Sequence, residues 1–133
     1  MKAQISLEAA VVIGIMITIL AILIGVNTDI TSSFSIIQND KNIDHTLQTI
    51  TNSAHFVFQQ GNGSRDEIWI FLPNNIHNAS IDNQTIAFHL YSARTGIRRM
   101  GVTVPFPIHG TLPVNRGRHR LSVESFGDFV YVS

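Results

Sequence analysis

Glu8 is the residue whose position most needs a chemical explanation. This carboxylate directly precedes an apolar segment, Ala9 to Val26, in which Thr18 is the single polar side chain and no residue is charged. An acidic group costs roughly 2.5 to 3.5 kcal/mol near the centre of a membrane-spanning helix and less near its end. Its presence at this border therefore indicates a partner or a function for Glu8.

The other groups that could do chemistry do not form a recognisable catalytic or metal-binding pattern. The histidines lack ligand spacing, and Ser, His and Asp occur without a G-x-S-x-G turn. The absence of cysteine excludes disulfides, thiolate catalysis and Cys-based metal sites. We expect no enzymatic activity, no metal and no cofactor, and ordinary surface or half-buried positions for the six histidines: His45, His55, His77, His89, His109 and His119.

The apolar segment itself predicts a single membrane span. Ala9 to Val26 would rise ~27 Å as an α-helix, close to the thickness of the hydrocarbon core of a bilayer. A conventional secretory signal would end in a small-residue cleavage site, which is not evident after Gly25. Lys2 before the span and Asp29 after it weakly favour a cytoplasmic N-terminus and export of the remaining chain.

The residues before the span resemble the class III signal peptide of archaeal type IV pilins, whose pattern is Gln-x-Ser-x-Glu followed by an apolar helix. Gln4, Ser6 and Glu8 match the three polar positions of that pattern. The resemblance implies cleavage between Ala3 and Gln4 by a prepilin peptidase, so that the apolar helix stays on the mature protein. It also implies that Glu8, the fifth mature residue, pairs with the N-terminal amine of a neighbouring subunit during assembly. An uncleaved signal anchor and a conventional signal peptide remain alternatives.

The rest of the chain predicts an α+β fold, with a long N-terminal hydrophobic and amphipathic helix packed on a small antiparallel β head. An apolar stripe continues the helix to about Gln60, with Gly61 as its stop. We expect a leader peptide over 1–3, a helix over 4–60 (membrane and filament-core part 9–26, stalk 27–60) and a β-rich head over 61–133, as in type IV pilins. The stripe comprises Ile30, Phe34, Ile37, Ile43, Leu47, Ile50, Ala54 and Val57.

Alternating apolar residues and turn signals predict five to six short antiparallel strands from Glu67 onward. Glu67 to Leu72 is the first, and Ile76 to Ile81 with Thr85 to Tyr91 forms a hairpin in which Ile86, Phe88 and Leu90 share a face. Three further runs follow: an edge segment with Val102, Val104, Phe106 and Ile108 around Pro105 and Pro107, a strand with His119, Leu121 and Val123, and a last strand from Phe129 to Val132.

Charge and glycosylation motifs add two predictions for the head. Stalk and head carry opposite charges, which could orient stacked subunits or favour adhesion to an anionic surface, although we prefer to explain the head arginines as charged residues of a solvated edge strand. Three N-x-[ST] motifs, at Asn62, Asn78 and Asn83, are glycosylation candidates that we place in loops or turns. The head arginines in question are Arg98, Arg99, Arg116, Arg118 and Arg120.

By its resemblance, the chain is expected to be a structural subunit of an archaeal type IV pilus-like surface filament with a role in cell adhesion. Its expected partners are copies of itself, the prepilin peptidase, the pilus assembly platform with its ATPase, and the membrane before assembly; no nucleic-acid partner is implied. The precursor would lie in the cell membrane and the assembled filament on the cell surface. Two alternatives remain: a minor pilin or pseudopilin of a secretion or assembly system, and a membrane-anchored extracellular binding module.

Overall fold

In the computed structural model, the described residues form one helix and seven strands. It describes the backbone of residues 2–92 and 95–133 and the side chains of 7–26, 37–92 and 95–133. Two compact units, Met1–Gln38 and Asn39–Ser133, divide the chain. The second unit therefore begins within the helix and includes its C-terminal part together with all seven strands.

Helix α1 (Lys2–Gln60) has no break at Gly25 in its hydrogen-bonded pattern and ends where the sequence predicts. Gly61 has a φ of 91°, a left-handed conformation that glycine adopts without steric cost, and its N–H donates to the carbonyl oxygen of Val57 at 3.2 Å. These two features are typical of a glycine-terminated helix. The predicted stop at Gly61 is confirmed.

The strands form two sheets within the unit that spans 39–133. The four-stranded sheet has the order β1-β6-β7-β5 and the three-stranded sheet the order β2-β3-β4. The strand bounds are β1 (Arg65–Leu72), β2 (Ile76–Asp82), β3 (Thr85–Ser92), β4 (Gly96–Thr103), β5 (Ile108–Gly110), β6 (Gly117–Ser125) and β7 (Val130–Val132). The predicted hairpin is confirmed, because β2 and β3 pair antiparallel with Ile86, Phe88 and Leu90 buried.

Three details of the strand prediction were wrong. The head has seven strands rather than five or six, and β5 pairs parallel with β7, so the head is not purely antiparallel. The run from Val102 to Ile108 is also not one edge strand. It contains the end of β4, the start of β5 and a crossing segment, residues 104–107, that passes from one sheet to the other.

The crossing segment follows from the chemistry of its two prolines. Pro105 and Pro107 have no N–H to donate to a sheet, so regular pairing stops between β4 and β5. Val104 and Phe106 nevertheless stay buried. Their alternation with the prolines reflects burial in the core. A strand with one buried face would show the same alternation in the sequence.

One hydrophobic core joins α1 to both sheets. The helix contributes side chains at spacings of four and three, which place them on one face. Ile37 was predicted to belong to this stripe but is 53 % exposed, and Ile30 and Phe34 lie outside the described side chains. The buried helix residues are Ile43, Leu47, Ile50, Ala54 and Val57, and they pack with Leu72, Phe88, Leu121, Val123, Val130 and Val132 of the sheets. The predicted α+β class, with a long helix packed on a mainly antiparallel β head, is confirmed.

Candidate functional site

The first candidate site is the apolar segment of α1. Leu7–Val26 is long and apolar enough to cross a membrane, and none of it is buried within the chain. Its large hydrophobic side chains are 52 to 69 % exposed, which leaves them available to lipid or to another protein surface. This segment is compatible with membrane anchoring or with secretion. The exposed residues are Leu7, Val11, Val12, Ile13, Ile15, Met16, Ile17, Ile19, Leu20, Ile22, Leu23, Ile24 and Val26.

The single polar side chain of the segment is accommodated by the helix backbone. The Thr18 hydroxyl donates to the carbonyl oxygen of Gly14 at 2.8 Å. A threonine bonded in this way to the residue four positions earlier hides its donor from an apolar environment. The segment is therefore still suited to a membrane helix although it contains Thr18.

Glu8 lies one residue into this segment, with its side chain exposed. Within the described part of the chain no cation forms an ion pair with it: the three ion pairs there are Arg65 with Glu67, Arg98 with Asp40 and Arg120 with Glu67. A carboxylate at the border of an apolar helix is tolerated when it remains hydrated or when a partner supplies a positive charge. Glu8 is thus available to a charge from outside its own chain.

The predicted cleavage position falls in the first turns of α1, since the helix begins at Lys2. The side chains of Ala3, Gln4 and Ser6 lie outside the described residues. The processing assignment of Ala3 and Gln4 and the assembly role of Glu8 stay predictions.

The three glycosylation candidates are all exposed, but they occupy different kinds of backbone. Asn62 lies in the turn after α1, and Asn83 lies in the β2–β3 turn with a φ of 50°. Asn78 was expected in a loop and instead lies within β2, next to a register shift between Ile76 and Asn78. The side chain of Asn78 is exposed on the edge strand β2, so it is still accessible from solvent.

The head arginines do not form one cluster on one edge strand, as the sequence suggested. Arg98 and Arg99 lie on β4, at the edge of the three-stranded sheet, whereas Arg118 and Arg120 lie on β6, between β1 and β7. The edge-strand interpretation therefore applies to the β4 arginines alone. Arg98 also pairs with Asp40 of α1 at 2.5 Å, so part of the charge difference between helix and head is neutralised within one chain.

The histidines are spread over the unit that spans 39–133. Among the described residues no group of three or more His, Asp or Glu side chains is placed to hold a metal ion. His55 packs edge-on against Phe106 with ring centroids 5.0 Å apart, and His109 packs in the same way against Phe129 at 5.5 Å. His119 bonds through Nε2 to the carbonyl oxygen of Asn115 at 2.7 Å. These three rings have packing or hydrogen-bonding contacts that explain their positions.

Sequence reasoning missed one feature of the unit that spans 39–133, a cleft that is lined by residues of α1, β1 and β6. Its residues come from three separate stretches of the chain, and no motif connects them. The two aromatic residues at alternating positions of β1, Trp69 and Phe71, are a sequence signal that could have indicated it.

Comparison of the chain with protein-family models, with curated proteins and with solved structures finds no match in any of the three.

Proposed function

We propose that this chain is the precursor of a structural subunit of an archaeal type IV pilus-like filament, and that its role is not enzymatic and needs no cofactor. The observation that carries the proposal is the exposed apolar segment Leu7–Val26 with Glu8 at its border, a carboxylate that has no ion-pair partner among the described residues. Outside lipid, such a segment must bury its surface against other apolar surfaces, and copies of the same helix are the most available partners.

In this proposal the apolar segment first holds the precursor in the membrane. A prepilin peptidase then removes residues 1–3 on the cytoplasmic side, and the platform and its ATPase transfer the subunit into the filament. There Glu8 pairs with the N-terminal amine that cleavage has created on a neighbouring subunit. The pairing compensates two charges that would otherwise be costly to remove from water.

Two supports come from the described residues. The unit that spans 39–133 has its own hydrophobic core, from Ile43 to Val132. It therefore does not need the apolar segment to fold. The three sequons are exposed, as the outer wall of a glycosylated surface filament requires.

Processing is tested by the mass of the intact mature protein. We expect a chain that begins at Gln4 and retains residues 9–26. A mature chain that begins at Met1, or one that begins after Val26, would contradict the pilin proposal. If Gln4 were found as pyroglutamate, the amine needed by Glu8 would be absent and the pairing mechanism would be wrong.

The role of Glu8 is tested with Glu8→Gln, which keeps the shape of the side chain and removes its charge, and with Glu8→Asp as the charge-retaining control. The glutamine variant should insert and be cleaved normally but should leave an amine without its counter-charge, at a cost of roughly 3 to 5 kcal/mol per subunit. We expect electron microscopy to show few or no surface filaments for Glu8→Gln and a partial recovery for Glu8→Asp. Normal filament numbers for Glu8→Gln would contradict the proposed pairing.

A membrane-anchored binding module is the second candidate, and the cleft on the head favours it. This alternative predicts an uncleaved N-terminus and no filament. A minor pilin or pseudopilin would instead be processed at Gln4 but be scarce in sheared filaments, which mass spectrometry of those filaments measures.

A further inference from the structure

The cleft on the head has a volume of about 300 Å³ and lies entirely within the unit that spans 39–133. This volume is at the lower end of the range for small-molecule sites, roughly 300 to 1,000 Å³. Helix α1 forms one wall, and β1 with β6 forms the other. The lining residues are Asn42, His45, Thr46, Thr49, Trp69, Ile70, Phe71 and Arg118.

Among the described residues that line the cleft, Arg118 is the one arginine or lysine, and an aromatic ring positions it. Its Cζ lies 4.4 Å from the centroid of the Trp69 ring, close enough for a cation–π contact. Within the described part of the chain no carboxylate pairs with Arg118, whereas Arg120, two residues along the same strand face, pairs with Glu67. The guanidinium of Arg118 thus has its planar donors available for an anion.

The helical wall supplies neutral polar groups. The amide of Asn42 and the ring of His45 have no hydrogen-bond partner among the described residues. The Thr49 hydroxyl donates to the carbonyl oxygen of His45 at 2.8 Å and keeps its lone pairs for a donor on a ligand. Thr46 instead holds the two walls together, since its hydroxyl donates to the carbonyl oxygen of Phe71 at 3.2 Å.

Two aromatic side chains give the cleft an apolar surface. Trp69 is 55 % exposed and Phe71 52 % exposed, because they alternate along β1 with Ile70 and Leu72, which belong to the core shared with α1. Exposed aromatic side chains next to a few convergent polar groups are typical of ligand sites. None of the described lining residues is acidic, so the site favours an anion over a cation.

From this combination we propose that the cleft binds a sugar that carries a carboxylate, such as a uronic acid unit of a surface polysaccharide. Arg118 would take the carboxylate, Asn42, His45 and Thr49 would bond the hydroxyl groups, and Trp69 with Phe71 would cover the C–H face of the sugar ring. This inference does not depend on the proposed filament, because every residue that it uses belongs to the unit that spans 39–133.

The test uses the full chain in a non-ionic detergent, titrated by calorimetry with three probes. D-glucuronic acid has the carboxylate and the ring, methyl glucoside has the ring alone, and inorganic phosphate has negative charge alone. We expect glucuronic acid to bind at least about tenfold more tightly than methyl glucoside, since a hydrogen-bonded charge contributes roughly 1.5 to 3 kcal/mol. Phosphate should bind more weakly than glucuronic acid, because it cannot use the aromatic surface.

Two variants on the same strand face distinguish binding in the cleft from general attraction between opposite charges. Arg118→Gln should weaken glucuronic acid binding roughly 10- to 100-fold and leave methyl glucoside binding unchanged, whereas Arg120→Gln, the matched control, should leave both unchanged. Circular dichroism should show the same fold for both variants, since both arginines are exposed.

Four outcomes would overturn the proposal. Glucuronic acid could bind no better than methyl glucoside or no better than phosphate, or the two variants could weaken it equally, which would indicate simple charge attraction. The fourth outcome is that none of the probes binds and that Trp69 crosslinks to a second copy of the chain. The cleft face would then be an interface between subunits.

Discussion

Removal of residues 1–26 should leave a fragment that is a water-soluble monomer. The deletion takes away the whole Leu7–Val26 segment, in which no residue is buried within the chain. It leaves the core intact, because the first buried core residue is Ile43. The perturbation therefore tests whether the apolar segment alone drives association.

The free energy of association can be worked out from the exposure of the side chains in the segment. Thirteen large hydrophobic side chains between Leu7 and Val26 are 52 to 69 % exposed. Full burial of one such side chain contributes roughly 1.5 to 3 kcal/mol, so burial of the remaining half contributes about 1 kcal/mol each. The segment as a whole could thus gain on the order of 10 kcal/mol by transfer into lipid or into a helix bundle. This is large enough to make a free monomer of the full chain a minor species in water.

Sedimentation velocity in detergent-free buffer provides the assay. The full chain should appear as large assemblies or precipitate, and the fragment 27–133 should sediment as a folded monomer with the circular dichroism of a mixed α and β protein. The substitution of Met16 by Asp in the full chain is the matched control, since one charge should weaken association without removing it. Filaments formed by the fragment, or a stable monomer of the full chain, would refute the reasoning.

Three further predictions concern the head. Ile50→Ala should lower the free energy of unfolding by roughly 2 to 5 kcal/mol in a thermal melt, because Ile50 is fully buried, while Ile37→Ala at an exposed position should change it by less than about 0.5 kcal/mol. Gly110→Ala should destabilise the head more than Gly63→Ala in a urea titration. Both glycines have positive φ, but a Cβ at Gly110 would lie 1.9 Å from the carbonyl oxygen of Val132 and one at Gly63 would meet open space. Asn83→Gln should reduce the intact mass of protein from its native host by one glycan, and an unchanged mass would mean that this exposed turn is not modified.

The local patterns of the sequence were sufficient for most of the secondary structure. The spacing of Ile43, Leu47, Ile50, Ala54 and Val57 predicts the buried face of α1, because side chains three and four residues apart share one side of a helix. Glycine chemistry predicts the end of α1 at Gln60. Alternation predicts the β2–β3 hairpin, because a strand presents successive side chains to opposite faces.

Pairing between distant strands was not predictable in the same way. The sequence around Pro105 and Pro107 reads as an edge strand, and the tertiary structure makes it a crossing between sheets, because buried positions alternate in both cases. The parallel pairing of β5 with β7 and the separation of Arg98 from Arg118 onto different sheets depend on which strands become neighbours. No local pattern records that choice.

The apolar segment and Glu8 are therefore properties of the sequence itself, since hydropathy and charge along a single helix need no tertiary contact to be recognised. The cleft is a property of the tertiary structure. Asn42, Trp69 and Arg118 lie far apart in the chain and converge only because α1 packs beside β1 and β1 pairs with β6. Residues that act through position alone become visible when the fold brings them together, and this is the physical reason that only the structure could indicate the cleft.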